Sequence, residues 1–116
     1  HMTDQFPNDE IIGMRRPIVH IWSAGLDANN RDQLTTLASN LIKNIGVTLE
    51  GFVEGQVFES DDGKSMIVIT SWKTRHEWAS ALWNQKVDQL LEAVERSSKI
   101  SDVICYSIST VSSTKA

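Results

Sequence analysis

The chain has 116 residues, a length that allows one hydrophobic core but not two. Hydrophobic residues make up 41% and charged residues 22%, which is the composition of an ordinary globular domain. The formal net charge of −4 argues against nucleic acid or an anionic membrane as a partner, and the apolar runs are too short to span a bilayer. A single cysteine, Cys105, excludes an internal disulfide and an all-cysteine metal site.

The two ends of the chain differ from its middle in composition. We predict that residues 1–15 form an N-terminal arm with a cloning remnant, His1-Met2, and that residues 112–116 form a polar tail. Residues 16–111 then form the single domain. The start of the chain lacks the basic and apolar parts of a signal peptide, so we expect a cytoplasmic protein.

The first half of the domain changes from a strand pattern to a helix pattern. The short β-rich run Pro17–Trp22, with Gly25 after it, predicts the first strand. A one-sided amphipathic helix follows, because apolar residues recur at helical spacing: Leu34, Leu37, Ala38, Leu41, Ile42 and Ile45. We predict that Asn30 and Gln33 form a capping box at its start and that Gly46 marks its end.

The middle of the chain predicts two strands joined by a tight turn. Residues 49–59 alternate imperfectly, and the glycines in them favour a bent strand with a bulge near Gly55. Asp62-Gly63 is typical of a hairpin turn. The next strand, Ser65–Trp72, alternates cleanly, with Met66, Val68, Thr70 and Trp72 on one face.

The last third of the domain predicts a helix and a final strand. Thr74 and Glu77 have the spacing of a capping box, and the helix after them is interrupted near Asn84. Val103–Val111 alternates again and predicts the fourth strand.

The resulting order β-α-β-β-α-β predicts an α+β fold of the ferredoxin-like type, a four-stranded antiparallel sheet with two main helices on one face. Two helices cover only one face of such a sheet. Strands one and three nevertheless carry apolar residues on the second face as well, namely Val19, Ile21, Ile67 and Ile69. We therefore expect a homodimer that buries this second face.

The segment Val68–Trp78 carries a resemblance to a known family. A strand ending in Trp72, a short polar turn and an aromatic residue in the next helix, together with Gly51 and the acidic hairpin 60–63, is similar to the antibiotic biosynthesis monooxygenase-like family of dimeric α+β barrels. The resemblance spans residues 17–109. It implies a dimeric barrel without a cofactor or metal. Its members include oxygenases of polyketide phenols that need neither metal nor flavin, haem-degrading enzymes and small-molecule isomerases.

Individual positions refine what the resemblance implies. Trp72 matches the family tryptophan that lines the pocket between sheet and helices, and Trp78 stands where some oxygenases have a tyrosine. Val68 and Thr70 stand in the neighbourhood of an asparagine of the cofactor-free oxygenases. In the haem-degrading branch an axial histidine lies about where Leu82 and Trp83 stand here, so haem degradation is disfavoured.

Two histidines are candidate catalytic residues. His20 lies in an apolar strand, where it serves either as a hydrogen-bonded core or interface residue or as a general base. Histidine titrates near neutral pH, which suits proton removal from an enol or a phenol. His76 is the weaker candidate, because the first turn of a helix is usually exposed.

The four tryptophans allow two interpretations. They either fill the core or frame a flat hydrophobic pocket for a small aromatic or enolic molecule. We predict a pocket lined by Trp22, Val68, Thr70, Trp72, Trp78, Leu82 and Trp83. Whether the protein is an enzyme stays open at this point. The leading hypothesis is cofactor-independent oxygenation of a polyketide-like or quinol-like substrate. The alternatives are a proton-transfer isomerase in the same pocket and a ligand-binding protein without catalysis.

Overall fold

Four strands form one antiparallel sheet, and three helices cover one of its faces. The computed structural model describes residues 15–114. The elements in chain order are β1 (Ile18–Gly25), α1 (Arg31–Thr48), β2 (Phe52–Glu59), β3 (Ser65–Trp72), α2 (Arg75–Ala81), α3 (Gln85–Ser97) and β4 (Ile100–Tyr106). The spatial order of the strands is β2-β3-β1-β4. The predicted ferredoxin-like α+β fold is confirmed. The predicted N-terminal arm lies outside the described residues except for Arg15, and so do the last two residues of the predicted tail.

The core lies between the sheet and the helices, and strand alternation selects its residues. Every second residue of β1 and β3 faces the helices, and most of these side chains are buried: Ile18, Trp22, Ala24, Met66, Val68, Thr70 and Trp72. The helices contribute the stripe Leu34, Ala38, Leu41 and Ile45 from α1 and the pair Val87 and Val94 from α3. Period 2 in the strands and period 3.6 in the helices therefore converge on one core.

Helix α1 differs from its prediction at both ends. It continues through Gly46 to Thr48, although the buried apolar stripe ends at Ile45, and the amide of Leu49 still bonds to the Ile45 carbonyl. The predicted Asn30–Gln33 capping box is wrong. The side chain of Asn30 accepts from the Asp27 amide at 2.8 Å, so it organises the preceding loop and makes no cap bond.

The hairpin between β2 and β3 is held by short polar contacts. Gly63 has φ of +74°, which a left-handed turn position requires. Hydrogen bonds from the Ser60 hydroxyl and the Lys64 amide lower the pKa of the Asp62 carboxyl. Arg31 at the start of α1 bonds to the Gly63 carbonyl at 2.7 Å and pairs with Glu59, tying the helix to the hairpin.

Three strand predictions needed correction and one did not. Strand β3 has the predicted bounds and faces. The bulge of β2 falls between Phe52 and Glu54, not near Gly55, because Gly55 keeps its place opposite Thr70. Strand β1 runs to Gly25, beyond the predicted end at Trp22. Strand β4 starts and ends earlier than predicted, since its pairing with β1 runs from Ile100 to Tyr106.

The second helical segment is interrupted as predicted. Helix α2 ends at Ala81, and α3 begins after Asn84, whose side chain caps it by accepting from the amides of Lys86 and Val87. At the start of α2, the Thr74 hydroxyl accepts from the Glu77 amide at 3.1 Å and donates to the Glu77 carboxylate at 3.2 Å. The predicted pairing of Thr74 with Glu77 is therefore present.

Glycine at position 51 supports the same cap. Gly51 has φ of +83°, and a β-carbon there would overlap the Glu77 side chain. Its carbonyl accepts from the Lys73 amide at 2.8 Å. The β3–α2 turn thus packs directly on the backbone before β2.

Within residues 15–114 no helix is long and apolar enough to cross a membrane.

The Thr74 cap yields a stability prediction. Thr74→Ala removes the acceptor for the Glu77 amide and should lower the free energy of unfolding by about 1 kcal/mol. Urea unfolding followed by circular dichroism measures the change. Thr74→Ser keeps a hydroxyl and serves as the control. Equal midpoints for wild type and Thr74→Ala would mean that the cap does not contribute.

Candidate functional site

A small apolar cavity lies between the central strands and the three helices. Its volume is about 40 Å³. Its walls include seven of the residues predicted to form the site: His20, Trp22, Val68, Thr70, Trp72, Trp78 and Leu82. Known ligand pockets have volumes of about 300–1,000 Å³, so this cavity must widen before it can hold a ring.

His20 is the ionisable side chain of the cavity wall. Among the described residues that line the cavity, no other side chain is acidic, basic or phenolic. The imidazole packs against the Trp78 indole with ring centroids 5.2 Å apart and planes tilted by 52°. Its Nε2 lies 2.9 Å from Oδ2 of Asp102 on β4. The ring is thus held between an aromatic face and a carboxylate.

Thr70 is the second polar group of the cavity wall. It is 4% exposed and lies directly opposite His20 in the β1–β3 pairing, on the same face of the sheet. The Cβ atoms of such cross-strand pairs are about 5 Å apart. Thr70 Oγ1 accepts a hydrogen bond from Trp72 Nε1 at 3.0 Å. The Trp72 donor is therefore satisfied, while the Thr70 hydroxyl hydrogen has no acceptor among residues 15–114.

Trp72 also makes a contact with another aromatic ring. The ring of Phe52 meets the Trp72 indole edge-on, with centroids 5.4 Å apart and an interplanar angle of 72°. Trp72 is buried, and it also borders the cavity. Core packing and cavity lining, the two interpretations of the tryptophans, therefore both apply to this residue.

Two predicted site residues lie elsewhere. Trp83 is 90% exposed, because α2 stops at Ala81 and the turn that follows carries the indole away from the cavity. The prediction that Trp83 lies near Trp78, five residues earlier, requires one helix to continue through both residues. His76 is exposed on α2 and borders a surface depression with Glu50, Glu77 and Ser80. Trp83 therefore does not line this cavity, and His76 does not meet His20.

Several residues of the site were not predicted from the sequence. Asp102 was overlooked because its contact with His20 depends on the pairing of β1 with β4, 82 residues apart in the chain. The helical walls are formed by apolar residues that were assigned only to the core: Leu41, Ile42, Ile45, Val87 and Leu91. Their helical spacing predicted an inward face but not a cavity beside it.

Comparison with known proteins identifies the fold. No model of a protein family matches the chain, and no curated protein matches its sequence. A variant of SnoaB, a cofactor-independent oxygenase from Streptomyces nogalater, matches with a TM-score of 0.76 at 12% identity over 83% of this chain and 97% of that one. The chain has the fold of the antibiotic biosynthesis monooxygenase-like proteins.

Further solved structures agree with this assignment. A proposed antibiotic biosynthesis monooxygenase from Deinococcus radiodurans matches with a TM-score of 0.75 at 11% identity, over 84% of this chain and 99% of that one. Rv0793 from Mycobacterium tuberculosis matches with a TM-score of 0.74 at 14% identity, over 83% and 99%. The resemblance predicted from the segment around Trp72 is confirmed at the level of the fold.

The position of Trp72 yields a binding prediction. A flat molecule that stacks beside the indole should quench tryptophan fluorescence, and Trp72→Phe should remove a large part of the saturable quenching while the protein stays folded. The probe is menadione, a flat non-fluorescent naphthoquinone. Trp83→Phe is the control, because Trp83 lies in the exposed turn. Equal losses in the two variants would contradict a site at Trp72.

Proposed function

We propose that this protein is a cofactor-independent monooxygenase that takes a proton from a planar phenol or enol bound in the cavity. The observation that carries the proposal is the position of His20, the single acid–base group among the described residues of a largely apolar wall. A base in such surroundings acts on a substrate without competition from water. The fold shared with SnoaB, named as a cofactor-independent oxygenase, supports oxygenation as the step that follows.

Thr70 supplies a hydrogen bond to the substrate oxygen on which negative charge develops. The hydroxyl lies beside His20 and already accepts from Trp72 Nε1, so its own hydrogen is available for a substrate oxygen. Hydrogen bonds of this kind become stronger as negative charge builds on the oxygen. In this arrangement His20 takes the proton, Thr70 bonds to the oxyanion, and the rings of Trp72 and Trp78 hold the substrate plane.

The proposed reaction balances without a further reductant. His20 removes a proton, and the substrate anion gives an electron to O₂. The resulting pair combines into a carbon–oxygen bond with a peroxide, which is protonated by the imidazolium. Loss of water from the C–H carbon that bears the hydroperoxide leaves a ketone. A CH₂ carbon thus becomes C=O, one oxygen atom enters the product and the other becomes water, and the substrate supplies all four electrons.

The cavity has to open for a ring to enter. Its outer wall includes Leu82, which is 45% exposed, and Trp78 on the seven-residue helix α2. The opposite wall is formed by the sheet, whose hydrogen bonds hold it in place. We therefore propose that substrate enters by displacement of α2 and the turn after it.

A proton-transfer isomerase is the second candidate. It would use the same base and the same hydroxyl, since both act before oxygen is needed. A protein that only binds the ligand would use the cavity without His20 chemistry. Oxygen uptake separates the first candidate from the other two, and solvent hydrogen exchange into the substrate separates the isomerase from the binding protein.

The oxygenase hypothesis predicts oxygen uptake with anthrone. We expect one O₂ consumed per anthraquinone formed, measured with an oxygen electrode and by absorbance. His20→Gln should lower kcat by about 100-fold or more, the usual contribution of a general base. Trp83→Phe is the control and should retain activity. Uptake that is unchanged in His20→Gln would exclude His20 as the base.

We also propose that two copies of the chain pair through the second face of the sheet. Six apolar side chains on that face are not fully buried in the single chain: Val19, Ile21, Phe58, Ile67, Ile69 and Val103. Polar residues, among them Glu54, Gln56 and Ser71, share the face with them. Monomeric proteins rarely expose a contiguous apolar surface of this kind. Burial against an identical face would remove it from water and close the two sheets into a barrel.

The dimer proposal predicts a mass twice the 13.0 kDa of one chain in light scattering at micromolar concentration. Ile69→Lys places a charge at the centre of the face and should shift the protein to monomers. Thr36→Lys adds the same charge on the exposed side of α1 and should leave the dimer intact. A wild-type monomer at this concentration would contradict the proposal.

A further inference from the structure

His20, the ionisable side chain of the cavity wall, is hydrogen-bonded to a carboxylate that is exposed to solvent. Asp102 lies on the edge strand β4 opposite Trp22, two residues from the partner of His20, so its side chain stands on the helix-covered face and meets His20 diagonally. The side chain of His20 is 15% exposed and that of Asp102 is 57% exposed. The pair therefore runs from the cavity wall to the surface.

The chemistry of the two groups fixes the hydrogen between them. A carboxylate only accepts, so the imidazole donates Nε2–H to Asp102 Oδ2 across 2.9 Å. The other ring nitrogen, Nδ1, then keeps its lone pair. No residue between 15 and 114 donates to it, and the contact with Trp78 restricts rotation of the ring. Nδ1 is thus the nitrogen left to accept a proton.

We propose that Asp102 is a positioning residue that holds His20 as the Nε2–H tautomer, so that Nδ1 is the atom that takes the substrate proton. The carboxylate also stabilises the imidazolium that this transfer creates. The part that concerns the substrate rests on the proposed function, whereas the tautomer is a property of the unliganded protein.

The exposure of Asp102 argues against a mainly structural role. Ion pairs at this degree of exposure contribute little to folding stability, because water screens them and the side chains lose freedom. Asp102 also has no other hydrogen-bond partner in the described part of the chain. Its replacement should therefore leave the fold intact and change the state of the imidazole.

The test is nitrogen NMR of the full chain labelled with ¹⁵N-histidine, at a pH where the imidazoles are neutral. We expect His20 to be almost wholly the Nε2–H tautomer, with a slowly exchanging Hε2 proton. In Asp102→Ala this proton signal should be lost, and the tautomer populations should approach those of His76, which is exposed and serves as an internal reference. Glu92→Gln removes a surface charge on α3 and should change nothing.

Kinetics with anthrone supply the second measurement. Asp102→Ala should lower kcat by about tenfold or more with little change in KM, because the carboxylate acts on the base and not on the substrate. Asp102→Glu should recover part of the loss. Tautomer populations of His20 that are the same in wild type and Asp102→Ala would overturn the proposal. A tautomer change in a protein that takes up no oxygen would instead sustain the role of Asp102 and contradict the oxygenase hypothesis.

Discussion

The antiparallel pairing of β1 with β3 sets the position of the polar groups in the cavity. In this register His20 lies opposite Thr70 and Trp22 lies opposite Val68. A shift of β1 by one residue would turn His20 and Trp22 to the second face of the sheet and bring Ile21 inward. Because apolar residues occupy both faces, burial alone does not exclude that alternative. The Asp62-Gly63 turn and the contacts of Arg31 with the hairpin help to fix β3 in place.

The polar groups of the cavity are few, and their arrangement limits the free energy lost by burying them. The Thr70 hydroxyl accepts from Trp72 Nε1, which removes the penalty of an unpaired indole N–H. His20 directs its own N–H toward the half-exposed Asp102, so no charge has to be held in the apolar interior. An imidazole can thus border the cavity while the rest of the wall remains largely apolar.

Local patterns were enough to predict β3, the Thr74 cap and the interruption before α3, because alternation, cap spacing and a capping asparagine act within a few residues. Features that depend on contacts distant in sequence were not predictable. Asp102 looks like an ordinary surface acid until the β1–β4 register brings it to His20. The exposure of Trp83 was not predictable, because the direction of its side chain depends on where α2 ends. Gly46 was misjudged because helix packing outweighs the intrinsic cost of one glycine, about 1 kcal/mol.

The shortness of α2 affects how easily the cavity beside it can open. Seven residues make fewer than two full turns, and an isolated helix of that length is unstable in water. Helix α2 packs mainly on β3, whereas α1 and α3 also pack on each other. Local opening of α2 therefore requires far less free energy than unfolding of the sheet. Under the proposed function, a small part of the chain can therefore open to admit a molecule while the sheet and the two longer helices stay folded.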